Sequence, residues 1–367
     1  MNTIEKYELR KVLVPIGRTI GDSMCHYAHF NVCVIKLIDS ADNVGWGFGG
    51  KVADGQFAKE AFWNQPMHTL KELEREFRKE YWPFIKGRGA DELFETDLLK
   101  GDYCTKNALR YALWDLRAKS KGLPLYKLLN PESTSTKRKS YASACGYQQT
   151  DEWLCDFYHH KVFSQGYRAI KIKTGHPDAD RDLRRLSIIR ECVGDGVEIA
   201  IDSNLAWDSK TTIDRIHYFQ KYGIELSYVE DPLSPTDLEG YRHLAKELDV
   251  KIAGHDYIPN PNDLRPLLDT GAINFLRVIS DIDYALIASK LAKEYDIPMI
   301  VSNTFLEVGI HFAVSNNQVD RIEFADLGWN NIIKRPVQII NGHMFPHQIP
   351  GHGFEPNMEI LEKWKVD

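Results

Sequence analysis

The sequence predicts an α/β chain: a (β/α)8-type TIM barrel in its modified, (β/α)7β-like form, with an α+β capping domain built from both ends. Three observations predict it. Eight short apolar runs follow one another from about residue 140: YASAC (141–145), YRAIKIK (167–173), VEIAID (197–202), LSYVE (226–230), VKIAGHD (250–256), INFLRV (273–278), PMIVSN (298–303) and RIEFAD (321–326). Amphipathic helical stretches, such as RDLRRLSIIREC (181–192) and YALIASKLAKEYD (284–296), separate them. The run ends lie roughly 20 to 30 residues apart, the length of one βα unit, and regular alternation of this kind means parallel strands. An open doubly wound sheet would show a Gly-rich phosphate loop after its first strand, and none is present.

The remaining elements follow in chain order. Residues 1 to about 60 read as extended and turn-rich: NVCVIKLI (31–38) is a β-branched run and GWGFGG (45–50) a turn cluster. From about 66 to 130 the pattern is helical. KNALRYALWDLRAKSKGLPLYKLL (106–129) sets Leu109, Ala112, Leu113 and Leu116 on one stripe, and its first helix stops at Gly122 and Pro124. The tail VQIINGHMFPHQIPGHGFEPN (337–357) is turn-rich again and is expected to rejoin the N-terminal segment. The predicted division is 1–130 cap, 131–335 barrel and 336–367 returning segment.

Composition narrows the function classes. The chain has 367 residues, 46 basic and 52 acidic, for a net charge of −6. Nucleic acid and anionic membranes need a concentrated basic face, so neither is expected as a partner. No run of about 18 apolar residues exists, so no membrane span is expected. The opening MNTIEKYELRKVLVP has no apolar core of the kind a secretory signal needs. Cys25, Cys33, Cys104, Cys145, Cys155 and Cys192 form no CxxC pair, so buried free thiols and a reducing cytoplasm are expected.

The run ends carry the chemistry. Strand two ends in Lys171 and Lys173, strand three in Asp202, strand four in Glu230, strand five in Asp256 beside His255, and strand eight carries Glu323. Barrel enzymes build their sites at the C-terminal ends of strands, so these side chains should converge. Lys171 and Lys173 are two apart and point the same way. Carboxylates from three successive strands make a hard oxygen site suited to Mg²⁺, one per chain. Mg²⁺ on a substrate carboxylate stabilises the enediolate left by loss of the α-proton. Lys173 is assigned as the base, its pKa lowered by its cationic neighbours; Lys171 assists and contacts the substrate carboxylate.

At these residues the chain resembles the enolase superfamily, in its mandelate racemase/muconate lactonizing enzyme-like branch. ALWDLRAKSKGLPLYKLL (112–129) resembles the family's cap helix and GYRAIKIKTG (166–175) its KxK strand. IDSNLAW (201–207) and YVEDPL (228–233) resemble its first two metal-ligand segments, and PHQIPGHGFEPN (346–357) its closing segment. The resemblance implies Mg²⁺ held by Asp202, Glu230 and a third ligand, Asp256, with His255 as the alternative under a one-residue shift. Mg²⁺ disfavours imidazole, which favours Asp256. It also implies that Glu323 hydrogen-bonds the substrate carboxylate.

One departure bears on the reaction. Racemases of this branch carry an Asp–His dyad on strands six and seven. Here the histidine position falls on Asn303, or Ser302 if the register slips. The aspartate position falls near Asn274, Phe275 or Arg277. Asn exchanges no proton at neutral pH, so two-base racemisation through this dyad is disfavoured. The cap loop GRTIGDSMCHYAHF (17–30) offers Arg18, Asp22, His26, Tyr27 and His29, a density of hydrogen-bonding groups suited to a polyhydroxylated acid. Arg18, His26, Tyr27, Asn204 and Arg277 are the candidate substrate contacts, and Asn303 is placed with Lys173, Lys171 and Glu323 in the catalytic set. The expectation is a homo-oligomeric, cytoplasmic sugar-acid dehydratase forming a 2-keto-3-deoxy acid. An epimerase, racemase or cycloisomerase with another second acid/base, or a non-catalytic metal-binding relative, stays open.

Overall fold

The computed structural model describes residues 2–53, 56–57, 68–94, 103–255, 257–278, 281–302 and 308–367. The eight apolar runs form eight strands: Arg138–Ser143, Ala169–Lys173, Glu198–Asp202, Val229–Glu230, Ile252–Gly254, Ile273–Val278, Met299–Val301 and Val319–Ala325. Each pairs with the next in chain order, and the eighth returns to pair in parallel with the first, closing the barrel. Helices on its outside include Asp151–His159, Ala179–Val193, Ser209–Lys221, Leu238–Glu247, Ile282–Glu294 and Gly309–Ser315. Their starts are fixed locally: Thr150, Asp178, Asp208, Asp237 and Asp281 each accept a first-turn backbone N–H with a side-chain oxygen. After the eighth strand the chain makes the short helical turn Trp329–Ile332, and a last helix, Met358–Lys363, lies near its end. A hairpin, Gln338–Ile340 and His343–Phe345, then adds antiparallel to the first barrel strand.

The cap is an antiparallel sheet of Ile4–Gly21, Cys25–Asp39 and Val44–Ala53, covered by the helix Tyr103–Ser120. The glycine cluster corrects the sequence reading. GWGFGG is not a turn but the middle of a strand. A Cβ on Gly45, Gly47 or Gly49 would lie 2.3, 1.7 or 2.0 Å from the carbonyl oxygens of Ala112, Ala108 and Cys104. Residues two apart share a strand face, and residues four apart share a helix face. The glycines are therefore the bed on which the helix lies. The chain's last residues come back to the first strand, where Leu13 N donates to Trp364 O (2.9 Å) and Val366 N to Lys11 O (3.0 Å).

The cysteines need a second correction. Cys155 and Cys192 are a disulfide, with Cα atoms 5.9 Å apart, joining two neighbouring barrel helices; Cys25, Cys33, Cys104 and Cys145 are free. Among the described residues no helix is long and apolar enough to cross a membrane.

Candidate active site

Strand register sets the site. In the parallel ladder Lys173 pairs with Asp202, and Asp202 with Glu230, so three charged residues stand side by side at the strand ends. Lys173 Nζ donates to Asp202 Oδ2 (2.7 Å) and Asn204 Oδ1 (2.8 Å). Asn204 takes a left-handed backbone, φ 47°, that turns its amide back over the strand end. Its Nδ2 then donates to the Tyr257 hydroxyl (2.8 Å). Lys171, one level deeper and buried, lies 2.5 Å from Glu230 Oε1, 3.0 Å from Glu323 Oε1 and 3.3 Å from Asp202 Oδ2.

Arg277, on the sixth strand, completes the group. It lies 3.0 Å from Glu230 Oε2 and donates to Glu323 Oε2 (2.7 Å) and the Tyr141 hydroxyl (2.9 Å). Three cations thus face three anions in a buried space. Burial opposes ionisation of Asp202 and Glu323, yet nearby cations hold both below the usual carboxylate range, Lys173 chiefly for Asp202 and Lys171 for Glu323. Burial pushes Glu230 well above the usual carboxylate range, against the lowering by the Arg277 guanidinium and the Lys171 ammonium at its two oxygens. Burial is the largest single influence on Lys173 and disfavours its ammonium, but Asp202 together with Asp22 and other nearby groups holds Lys173 well above the ordinary lysine range. That corrects the expected lowering: the carboxylate at 2.7 Å prevails over the neighbouring lysine.

The cap loop closes the other side. Ser23 Oγ donates to Ser203 O (2.8 Å), and Gly21 N to Cys145 O (2.8 Å). Asp22, Cys25, Tyr27 and Cys145 stand close enough to Lys173 for its charge to act on them. Burial pushes the Tyr27 phenol and the Cys25 thiol up.

Residues 157–360 match the Enolase C-terminal domain-like family. The chain belongs to the enolase superfamily, in its mandelate racemase/muconate lactonizing enzyme-like branch. A solved structure from Mesorhizobium loti, provisionally named a mandelate racemase, is 31% identical with a TM-score of 0.89, covering 99% of this chain and 95% of that one. L-talarate/galactarate dehydratase of Salmonella typhimurium is 28% identical over 260 residues, 69% of this chain and 63% of that relative's length. L-talarate dehydratase from Polaromonas, solved with Mg and L-glucarate, is 21% identical with a TM-score of 0.83, covering 100% of this chain and 98% of that one, and shares the fold.

Within this enolase-superfamily frame the sequence-derived residues divide. Lys171, Lys173, Asp202, Asn204, Glu230, Arg277 and Glu323 are brought together. Asp256 and Asn303 lie outside the described residues. His255 is buried, its ring 2.6 Å from the Tyr241 hydroxyl, 3.0 Å from Leu233 O and 3.0 Å from Asp231 Oδ1. Arg18, expected at the substrate, is instead a clamp between cap and barrel. It donates to Asp326 O (2.9 Å) and Ala144 O (3.3 Å), and its guanidinium lies 5.2 Å from the centre of the Trp153 ring. Arg277 and Glu323 grip each other rather than standing open. His26 is half-buried on the second cap strand, without a described bond to either lysine. Tyr141, Cys145 and Tyr257 escaped the sequence reading. Tyr141 is the inward residue two before the first strand's end, a position the strand period could have flagged.

Among the described residues no three His, Cys, Asp or Glu side chains stand together around one metal point. Asp202 and Glu230 nonetheless fit Mg²⁺. They are hard oxygen donors on adjacent, register-matched strands, and the buried Glu230 Oε2 accepts no aligned hydrogen bond.

Proposed function

We propose that this chain is a Mg²⁺-dependent hydro-lyase that takes the α-proton from a sugar acid and expels its β-hydroxyl as water, giving a 2-keto-3-deoxy acid. The observation that carries this reading is Lys173: its Nζ is fixed between Asp202 and Asn204 at the mouth of the barrel, facing the cap loop. Asp202 and Glu230 would hold the ion, with Asp256 as the proposed third ligand. Bound there, Mg²⁺ supplies Lewis-acid stabilisation of charge developing on the substrate carboxylate.

The protein groups do the rest. With the Asp202 carboxylate engaged by the ion, Lys173 would lose the counter-charge that holds its proton; its Nζ, as the neutral amine, then accepts the α-proton, and Asn204 and Tyr257 keep that Nζ in line. The same ammonium then returns the proton to the departing β-hydroxyl on the same face. The α C–H and β C–O bonds break, water leaves, and the enol becomes the keto acid. Tyr27 and its cap-loop neighbours receive the substrate's hydroxyls. Mono- and diacid sugars incubated with enzyme and Mg²⁺ are expected to yield 2-keto acid. Lys173→Ala should lower that rate by about 10³-fold or more. Exchange of the α-proton with an inverted product and no keto acid would overturn dehydration; an unchanged rate in Lys173→Ala would overturn the base assignment.

A further inference from the structure

The second, fourth, sixth and eighth strands each send one charged side chain to a common level: Lys171, Glu230, Arg277 and Glu323. Alternate strands of such a barrel supply one interior layer. This layer alternates in sign around the circle, and every neighbouring contact closes. Lys171 to Glu230 is 2.5 Å, Glu230 to Arg277 3.0 Å, Arg277 to Glu323 2.7 Å and Glu323 to Lys171 3.0 Å. Tyr141, Ala200, Tyr228, Ala253, Phe275 and Ile300 form an apolar cluster in the same barrel.

The two cations of the ring differ in kind. An ammonium on a four-carbon stem can swing aside. A guanidinium keeps its charge at any working pH, and its planar fork is fixed by several partners at once. Here Arg277 is held by Glu230, Glu323 and Tyr141. Glu230 Oε1 is taken by Lys171, while Oε2 faces Arg277 without an aligned hydrogen bond. Any cation reaching Asp202 and Glu230 therefore arrives beside a permanent positive charge.

We propose that Arg277 is a positioning residue: it fixes the Glu230 and Glu323 carboxylates in one layer and, by its charge, limits how tightly the Asp202–Glu230 pair takes a divalent cation. This rests on the metal reading above. The test is direct binding without substrate: Mg²⁺ by calorimetry and Mn²⁺ by paramagnetic resonance, titrated into chelator-stripped wild type, Arg277→Met, Arg277→Gln and Arg277→Lys. The two neutral variants should bind about tenfold more tightly or better, because a like charge has been removed at close range. Arg277→Lys, which keeps the charge, should stay within about threefold of wild type. Arg277→Gln retains a hydrogen-bonding amide and serves if Arg277→Met does not fold.

Neutral variants that fold yet bind no more tightly than wild type overturn the proposal, as does Arg277→Lys binding as tightly as they do. Binding by the neutral variants but not by wild type supports it and removes the metal from the wild-type mechanism. Absence of binding in every variant overturns both readings.

Discussion

The barrel interior joins Lys171, Glu230, Arg277 and Glu323 charge to charge, whereas the junction of tail, cap and an outer barrel helix joins Asp115, His311 and His352 mainly through backbone groups. Asp115, fully buried, accepts from Trp46 N (2.9 Å), Lys119 Nζ (2.6 Å) and His352 N (2.8 Å). His311 Nδ1 accepts from Tyr126 N (3.2 Å), which leaves Nε2 to donate to His352 O (2.9 Å). Burial pulls His311 down to about 3 and lowers His352 as well, so both imidazoles stay neutral. Both networks are buried, but they answer to different changes. The barrel layer responds to loss of a counter-charge. The junction responds to protons.

The largest expected effect breaks the charged layer. Lys171→Met leaves Glu230 and Glu323 to one guanidinium, and removing one partner of a buried pair typically costs about 3–5 kcal/mol. Urea unfolding at pH 7 measures it; a loss under about 1 kcal/mol would show that the layer is dispensable to folding. Asp115→Ala comes next. It strands two backbone N–H groups and leaves the Lys119 ammonium with Val44 O but no counter-charge, with an expected cost of about 2–3 kcal/mol by the same assay.

Acid gives the smallest and most selective effect. The unfolded chain takes a proton on His311 near its ordinary 6.5, while the folded chain takes it only near about 3. Stability from this group is therefore complete above pH 6.5 and lost as pH falls, by up to about 1.4 kcal/mol per pH unit. The depressed carboxylates Asp202 and Glu323 begin to lose their contribution only as pH falls into the usual carboxylate range and continue to lose it below that. Unfolding midpoints compared at pH 7 and 5 should fall in wild type and fall less in His311→Gln; an equal fall in both would assign the acid sensitivity elsewhere.

The barrel was legible because its signal repeats. Eight apolar runs at even spacing announce eight strands, and strand alternation places Lys171 and Lys173 inward with no knowledge of their partners. The gathering of Asp202 and Glu230 followed from the same period. The use of Arg277 did not. A guanidinium that grips two acids on distant strands looks, in sequence, like one free to grip a substrate. Arg18 misled in the same way, since carbonyls such as Asp326 O leave no trace in residue type. The direction of the Lys173 shift depends on whether a carboxylate or an ammonium is nearer, which spacing along one strand cannot say. Cys155 and Cys192 lie on two helices whose contact is set by the closed barrel rather than by any local motif.

The glycine bed in the cap has a consequence for what this fold can tolerate. Gly45, Gly47 and Gly49 meet the helix only because all three share one parity along their strand. Adding or deleting one residue in the tight connection before them would swing Trp46 and Phe48 to the side where the helix backbone now rests. That short connection is therefore locked in length.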